Sequence, residues 1–527
     1  MQSRALGVMM AVAFVLGAVA SSGEASAADG RPGKGPAALS DALAVLKVND
    51  PRLLDRELTQ FAAGLGINPE PLRAGMAGLL FRSRNLEGID LSRPALMAWR
   101  AKEPSLVAVI PLTDRRRFLD SFGAGFGSDA PLIRVGERDG TVVYTQNGNN
   151  GLLEYRLLVS DRAAYLASTT ALCRDLAEYP LQPGASEAPL VFTASEGFLD
   201  QLGASAELSP DYRKAVAALS PGVISLQTTM RAGWNAFVDQ LTSAELTVRP
   251  DAQGTMNFRL NVQAKTDSAL AVWIGNQRNQ PSRLLPLVRS EQSVFTVAGN
   301  VVWQGQAERM GKVFTPALKE AFAERWTAMV EENWTALWAL ADRAGPFAAA
   351  SDLDVKDGKP VGESRYLGDQ AKAQELMSLI TLVSQNLTGT VGEAVTAGNA
   401  TGYREQHPDG DHVLVSTERF LVSAQSTVRP ALEAATEVVT RSQNIGALEG
   451  VAGIFQLSAN FMPFVRTLVV VMGGDLPMAL PIARCTMTVK TGLMGQLVAD
   501  GTFPAPVVAQ LLRDSGLIQM NDTAPKK

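Results

Sequence analysis

The chain has 527 residues, of which 46% are hydrophobic and 19% charged, with a formal net charge of −5. That is long enough for more than one domain and apolar enough to bury large cores, which excludes an intrinsically disordered chain. The mildly acidic balance, without any polybasic run, argues against nucleic-acid partners and anionic membrane surfaces.

Met1-Gln2-Ser3-Arg4 gives a short positive start, Ala5 to Ala20 is an apolar run, and Ala25-Ser26-Ala27 is a small-x-small cleavage signal. This pattern predicts a secretory signal peptide over residues 1–27, and so a periplasmic or extracellular protein. Residues 28–39, rich in Gly and Pro, read as a flexible leader. Residues 514–527 read as a disordered tail.

Between these ends, apolar and turn signals alternate. Ser105 to Leu112 is an apolar strand, and Asp114 suits the N-terminus of the helix that follows to Phe122. Asp139-Gly140 is a hairpin turn between two β-rich runs. Gly123-Ala124-Gly125-Phe126-Gly127 follows a helix, so it reads as a cap and loop and not as a phosphate cradle.

Two segments look alike. Leu158-Val159-Ser160, then Tyr165-Leu166-Ala167-Ser168 and a helical stretch, is matched by Leu414-Val415-Ser416, then Phe420-Leu421-Val422-Ser423 and a second helical stretch. Leu246 to Val262 and Met487 to Ala499 form a second pair of hairpins, and Ala44 to Val48 and Val294 to Val297 open the two halves. With a polar, breaker-rich boundary at Gly275 to Ser282, the pattern predicts two lobes, 40–280 and 281–513. The expected fold class is α+β: two diverged, repeat-related lobes, each a mainly antiparallel sheet with packed helices. The one later apolar stretch, Phe461 to Ile482, carries Arg466, Asp475 and three prolines, so no membrane span is expected in the mature chain.

Gly88-Ile89-Asp90-Leu91-Ser92-Arg93-Pro94, followed by the strand ending at Leu112, resembles a turn found in a family of uncharacterised exported bacterial proteins. The resemblance covers most of the first half. It implies an architecture and no activity.

Candidate sites are few. Thr315 to about Arg343 reads as one long helix, with Thr315 as cap, and Trp326, Trp334 and Trp338 on one aromatic stripe. That stripe is either core or the face of a ligand or partner site. The only two histidines, His407 and His412, flank Asp409 and Asp411, which makes a weak metal candidate on what reads as an exposed hairpin tip. Asp352, Asp354, Asp357 and Glu363 lack the order of a calcium loop, since Lys356 falls where an oxygen ligand is required. Cys173 and Cys485 could pair in an oxidising compartment or be buried thiols. No nucleophile motif is evident.

The functional expectation is an exported, soluble, non-catalytic binding or interaction protein, with an unknown protein or apolar ligand of the cell envelope as partner, and without a cofactor. One alternative is a periplasmic carrier of an apolar or lipid-like ligand. Another is a carboxylate-dependent hydrolase.

Overall fold

The computed structural model describes residues 39, 42–66, 68–100, 106–123, 131–148, 151–178, 181, 189–198, 237–303, 305, 307–308, 311–312, 315–316, 319, 322–356, 359–389, 391–407, 410–443, 452–460, 484–492, 495–505 and 507. The expected signal peptide, most of the leader, the 461–482 stretch, the C-terminal tail, Ala124 to Gly127 and Asp409 lie outside the described residues. Among those described, no helix is long and apolar enough to cross a membrane.

The chain divides into two compact units. Unit 1 takes residues 1–201, 241–263 and 500–527, and unit 2 takes 202–240 and 264–499.

Unit 1 holds β1 (Ala42–Val48), β2 (Ala95–Arg100), β3 (Leu106–Pro111), β4 (Ile133–Arg138), β5 (Thr141–Gly148), β6 (Gly151–Val159), β7 (Ala163–Ala167), β8 (Leu190–Ser195), β9 (Leu241–Pro250) and β10 (Met256–Ala264). β1 lies between β2 and β8, β2 pairs with β3, and β3 pairs with β7. β4 to β7 follow as hairpins, and β8 pairs with β9. β3 is buried at every position, as its unbroken apolar run requires. Between β4 and β5, Asp139 and Gly140 have φ of 53° and 76°, the two positive values of a tight hairpin turn. Asp114 caps the helix Arg115–Ser121 by accepting from the amides of Arg116 (2.9 Å) and Arg117 (3.1 Å).

Unit 2 holds β11 (Gln280–Pro281), β12 (Ser293–Gly299), β13 (Ala344–Lys356), β14 (Lys359–Gln370), β15 (Glu393–Ala397), β16 (Ala400–His407), β17 (Gly410–Ser416), β18 (Phe420–Ser426), β19 (Ala452–Gly453), β20 (Phe455–Asn460) and β21 (Arg484–Thr491), and β22 (Gln496–Phe503) is the last strand. β12 lies between β13 and β20, β13 pairs with β14, and β14 pairs with β18. β15 to β18 follow as hairpins, and β20 pairs with β21. These pairings repeat those of unit 1 strand for strand, and all are antiparallel. β11 and β19 pair apart from the rest.

The expectation of two helix-packed lobes is nevertheless corrected. The fold is dominated by antiparallel sheet, with 44% strand against 32% helix, and is not built from two helix-packed lobes. Local sequence reveals hairpins, whose partners are neighbours in the chain. It does not reveal which strand edges find non-local partners, and unpaired N–H and C=O groups on an edge favour further pairing.

Helices pack by their apolar stripes. Ala431–Ser442 buries Ala431, Ala434, Ala435, Val438 and Val439, and these join the Ala- and Val-rich core of β13, β14, β17 and β18. Pro51–Gly64, capped by Asp50 on the Leu53 amide at 2.8 Å, buries Leu54, Phe61 and Ala62. Its fifth buried residue, besides Pro51, is a carboxylate, Glu57.

The long aromatic helix is shorter than expected. It spans Ala328–Ala341 and starts where the Thr327 hydroxyl accepts from the Val330 amide. Thr315 does not cap it. Its hydroxyl donates to the Gly311 carbonyl at 2.6 Å. Trp326 therefore precedes the helix, and only Trp334 and Trp338 lie on it.

Candidate functional site

Glu57 is the feature that sequence reading missed. It sits on the buried stripe of the helix Pro51–Gly64, one turn from Leu54 and from Phe61, and is 7% exposed. The partner that makes this burial tolerable comes from the end of β9. Arg249 donates to Glu57 Oε1 from Nε at 2.8 Å and approaches the same oxygen with Nη2 at 2.7 Å. Both contacts fall on one oxygen. The other, Oε2, is buried and has no hydrogen-bond partner among the described residues. A two-oxygen fork, the usual arginine–carboxylate geometry, would have satisfied both. A buried acceptor left unpaired costs on the order of 1–3 kcal/mol.

Glu57 and Arg249 line an open pocket of about 320 Å³, completed by Gln60, Pro250, Asp251, Ala252 and Asn257. The β9–β10 turn supplies its far wall. Asp251 organises that turn: its Oδ1 accepts from the amides of Gln253 (2.9 Å) and Thr255 (2.8 Å), and its Oδ2 accepts from Asn257 Nδ2 at 3.4 Å. The pocket thus brings two carboxylates and two side-chain amides to one guanidinium, all within unit 1.

The sequence-predicted aromatic residues do come together. Trp334 stacks edge-on against Trp326, with centroids 6.1 Å apart, and against Trp338 at 5.5 Å. All three are half-buried. Trp326 and Trp334 pack on Val330, Val383 and Leu387. Trp334 Nε1 donates to Thr315 Oγ1 at 3.0 Å. Gly311 lies so close to Trp338 that a Cβ there would fall 2.5 Å from the ring. The cluster clamps the chain before the helix onto the helix pair Ala328–Ala341 and Ala373–Thr388.

Of the histidine-rich segment, Asp411 and His412 lie within a strand and are half-buried. His412 lies within β17, half-buried, with Nε2 2.9 Å from Ser423 Oγ. Asp411 is taken by Arg404, which donates from Nε at 3.1 Å and from Nη2 at 2.6 Å. His407 ends β16, opposite Gly410. Among the described residues no three His, Cys, Asp or Glu side chains are grouped to hold a metal.

The acidic run at Asp352 belongs to a hairpin, with Asp352 opposite Glu363 across β13 and β14. Its carboxylates face arginines. Arg429 forks onto Glu363 at 2.7 and 2.8 Å and also reaches Glu437 at 2.8 Å. Arg365, buried between them, pairs with Asp352, and its Nε lies 3.4 Å from Glu363 Oε1. The Arg429 hydrogen bonds hold the Glu363 carboxyl below its ordinary value against the opposing effect of burial.

Cys173 and Cys485 are free and buried. Burial pushes the Cys173 thiol up to about 11 and the Cys485 thiol up to about 12. The thiolate is the reactive form, so both are inert in the folded state. In native buffer at pH 8, Ellman's reagent is expected to titrate no thiol over an hour, and both after denaturation. Rapid reaction of either in the folded protein would contradict its burial.

Comparison with known proteins returns no matching family model, no matching curated protein and no matching solved structure.

Proposed function

We propose that this chain is an exported, non-catalytic binding protein, and that unit 1 takes its ligand at the Glu57 pocket. One observation carries this reading: an open pocket of about 320 Å³ whose lining sets Glu57, only 7% exposed, beside Arg249 and Asp251. The other strongly placed charges give it support. Glu363, Asp411 and Asp352 are each answered by an arginine of unit 2, which is the work of a scaffold.

The carrier alternative would seat an apolar ligand on the tryptophans. Those rings are engaged with one another and with Val330, Val383 and Leu387, which weakens it. The hydrolase alternative draws on Glu57 and Asp251 sharing one pocket. Against it, Asp251 Oδ1 is committed to two backbone amides.

Native mass spectrometry of protein taken from its own envelope fraction tests the proposal. Wild type is expected to carry an added mass that Glu57→Gln lacks. An added mass retained unchanged by Glu57→Gln would move the site elsewhere.

A further inference from the structure

We propose that the open edge of β15, in unit 2, takes up an extended, basic peptide segment of a partner protein as an added strand; this surface does not depend on the Glu57 pocket. β15 pairs with β16 on one side, and no described strand pairs with its other side. The turn between them has two residues, Gly398 and Asn399, so the flanking pair Ala397 and Ala400 is of the hydrogen-bonded kind, as are Val395 with Gly402 and Glu393 with Arg404. Ala394 and Thr396 therefore turn their N–H and C=O groups to the open edge. Both residues are exposed. Backbone groups left unpaired in a row are a template for another strand.

The related unit shows what a protected edge looks like. β4 holds the corresponding place in unit 1 and, among the described residues, pairs with β5 alone. A bulge at Val135 breaks its register, and Arg134, Glu137 and Arg138 stand along it, with Arg134 donating to Glu137 at 2.8 Å. β15 keeps an unbroken register, and after Glu393 it carries only alanine, valine and threonine. Beside it lies a groove of about 610 Å³, lined by Thr396 and, on the helix side, by Pro430, Leu432, Glu433, Thr436 and Thr440. Val395 and Ala397 share a core with the helix Ala431–Ser442, so the residue of an added strand opposite Val395 also points to the helix side. Gln443, at the end of that helix, donates to Asn399 in the turn at 2.9 Å, so Glu433, in its first turn, lies toward the Glu393 end of the strand. Both carboxylates are exposed, and neither has an ion-pair partner among the described residues. They call for a basic residue there, which the β15 of a second copy does not bring.

The test uses the full chain and a fluorescein-labelled peptide, Thr-Val-Thr-Val-Thr-Lys-amide, read by fluorescence anisotropy. Laid antiparallel to β15, it sets its second valine opposite Val395 and its lysine opposite Glu393. It is expected to bind saturably and to slow hydrogen exchange at the Ala394 and Thr396 amides. Methylating the backbone nitrogens of its second and third threonines, which face those two residues, should weaken binding at least tenfold, and exchanging its lysine for glutamate at least fivefold. Thr396→Pro removes an outward N–H without touching the ladder to β16, so it should melt like wild type and lose the peptide. Should that proline harm folding, Glu433→Lys at an exposed helix position keeps the test decisive, because it should erase or reverse the preference for lysine over glutamate. Equal binding of the methylated peptide, or binding unchanged in folded Thr396→Pro, overturns the strand addition. Binding of the glutamate peptide as tight as that of the lysine peptide overturns the basic assignment. Failure of every peptide to bind overturns the proposal, and a dimer in sedimentation that Thr396→Pro dissociates would then give the edge to a second copy.

Discussion

Replacing Glu363 by glutamine is expected to lower the unfolding free energy at pH 7 by about 3–5 kcal/mol, the usual cost of removing one partner from a buried ion pair. The side chain of Glu363 is 8% exposed and that of Arg365 is 4% exposed, so solvent cannot replace the lost charge. Arg429 would lose both prongs of its fork, and Arg365 its second carboxylate. Ser426, whose hydroxyl donates to Glu363 at 3.4 Å, sits at the start of the turn leading into the helix Ala431–Ser442. The loss therefore reaches the seam between that helix and β14. Urea unfolding at pH 7 measures it. A difference below about 1 kcal/mol would place the network with exposed salt bridges, which contribute little.

The same network makes acid a selective denaturant. Glu363 and Glu437 are both held below the ordinary glutamate value, each first by hydrogen bonds from Arg429 and then by neighbouring arginine charges, with burial opposing. A depressed carboxylate contributes stability that is present above its unfolded value, about 4.3, and is lost as pH falls through its folded value. Wild-type stability should hold through pH 5 and fall below pH 4. Glu363→Gln has already lost its share, so the gap between the two proteins should narrow as pH drops. A gap that is constant from pH 7 to pH 3 would show that Glu363 acts through shape and not through charge.

How far the sequence could be read depends on the distance between partners. Asp139-Gly140 declares its turn because the requirement for positive φ is local. The Asp114 cap is equally local, bonding residues two and three positions on. The hairpins at Leu158 to Ser168 and Leu414 to Ser423 are β6–β7 and β17–β18, and in each case the second strand pairs on its far side with a strand from earlier in its unit. Those outer pairings left no local mark. The Glu57–Arg249 pair spans 192 residues and Glu363–Arg429 spans 66. A signal for the first was nevertheless present: a glutamate on the Leu54–Phe61 stripe of an amphipathic helix is a charge placed where burial is expected. The aromatic spacing misled for a related reason. Regular i+4 spacing fits a continuous helix, but Thr327 supplies a competing N-cap, and the chain before it folds back to bring Trp326 onto Trp334.

Trp334→Ala is expected to cost about 2–4 kcal/mol, somewhat below the loss for a fully buried tryptophan, because the ring is half-buried. Trp334 is the middle ring of three, so its removal deprives both Trp326 and Trp338 of an edge-on contact. It also frees Thr315 from the indole N–H. Trp334→Phe separates these effects: the ring contacts largely persist while the hydrogen bond is lost, and the expected cost falls to about 0.5–1.5 kcal/mol. Gly311→Ala attacks the same cluster from the other side, since its Cβ would run into the Trp338 ring. If the cluster is a clamp, all three variants should destabilise unit 2 in urea, and acrylamide should quench tryptophan emission more strongly in each than in wild type. If the indoles instead form a docking face, Trp334→Ala should unfold with wild-type stability, and the packing role assigned here would be wrong.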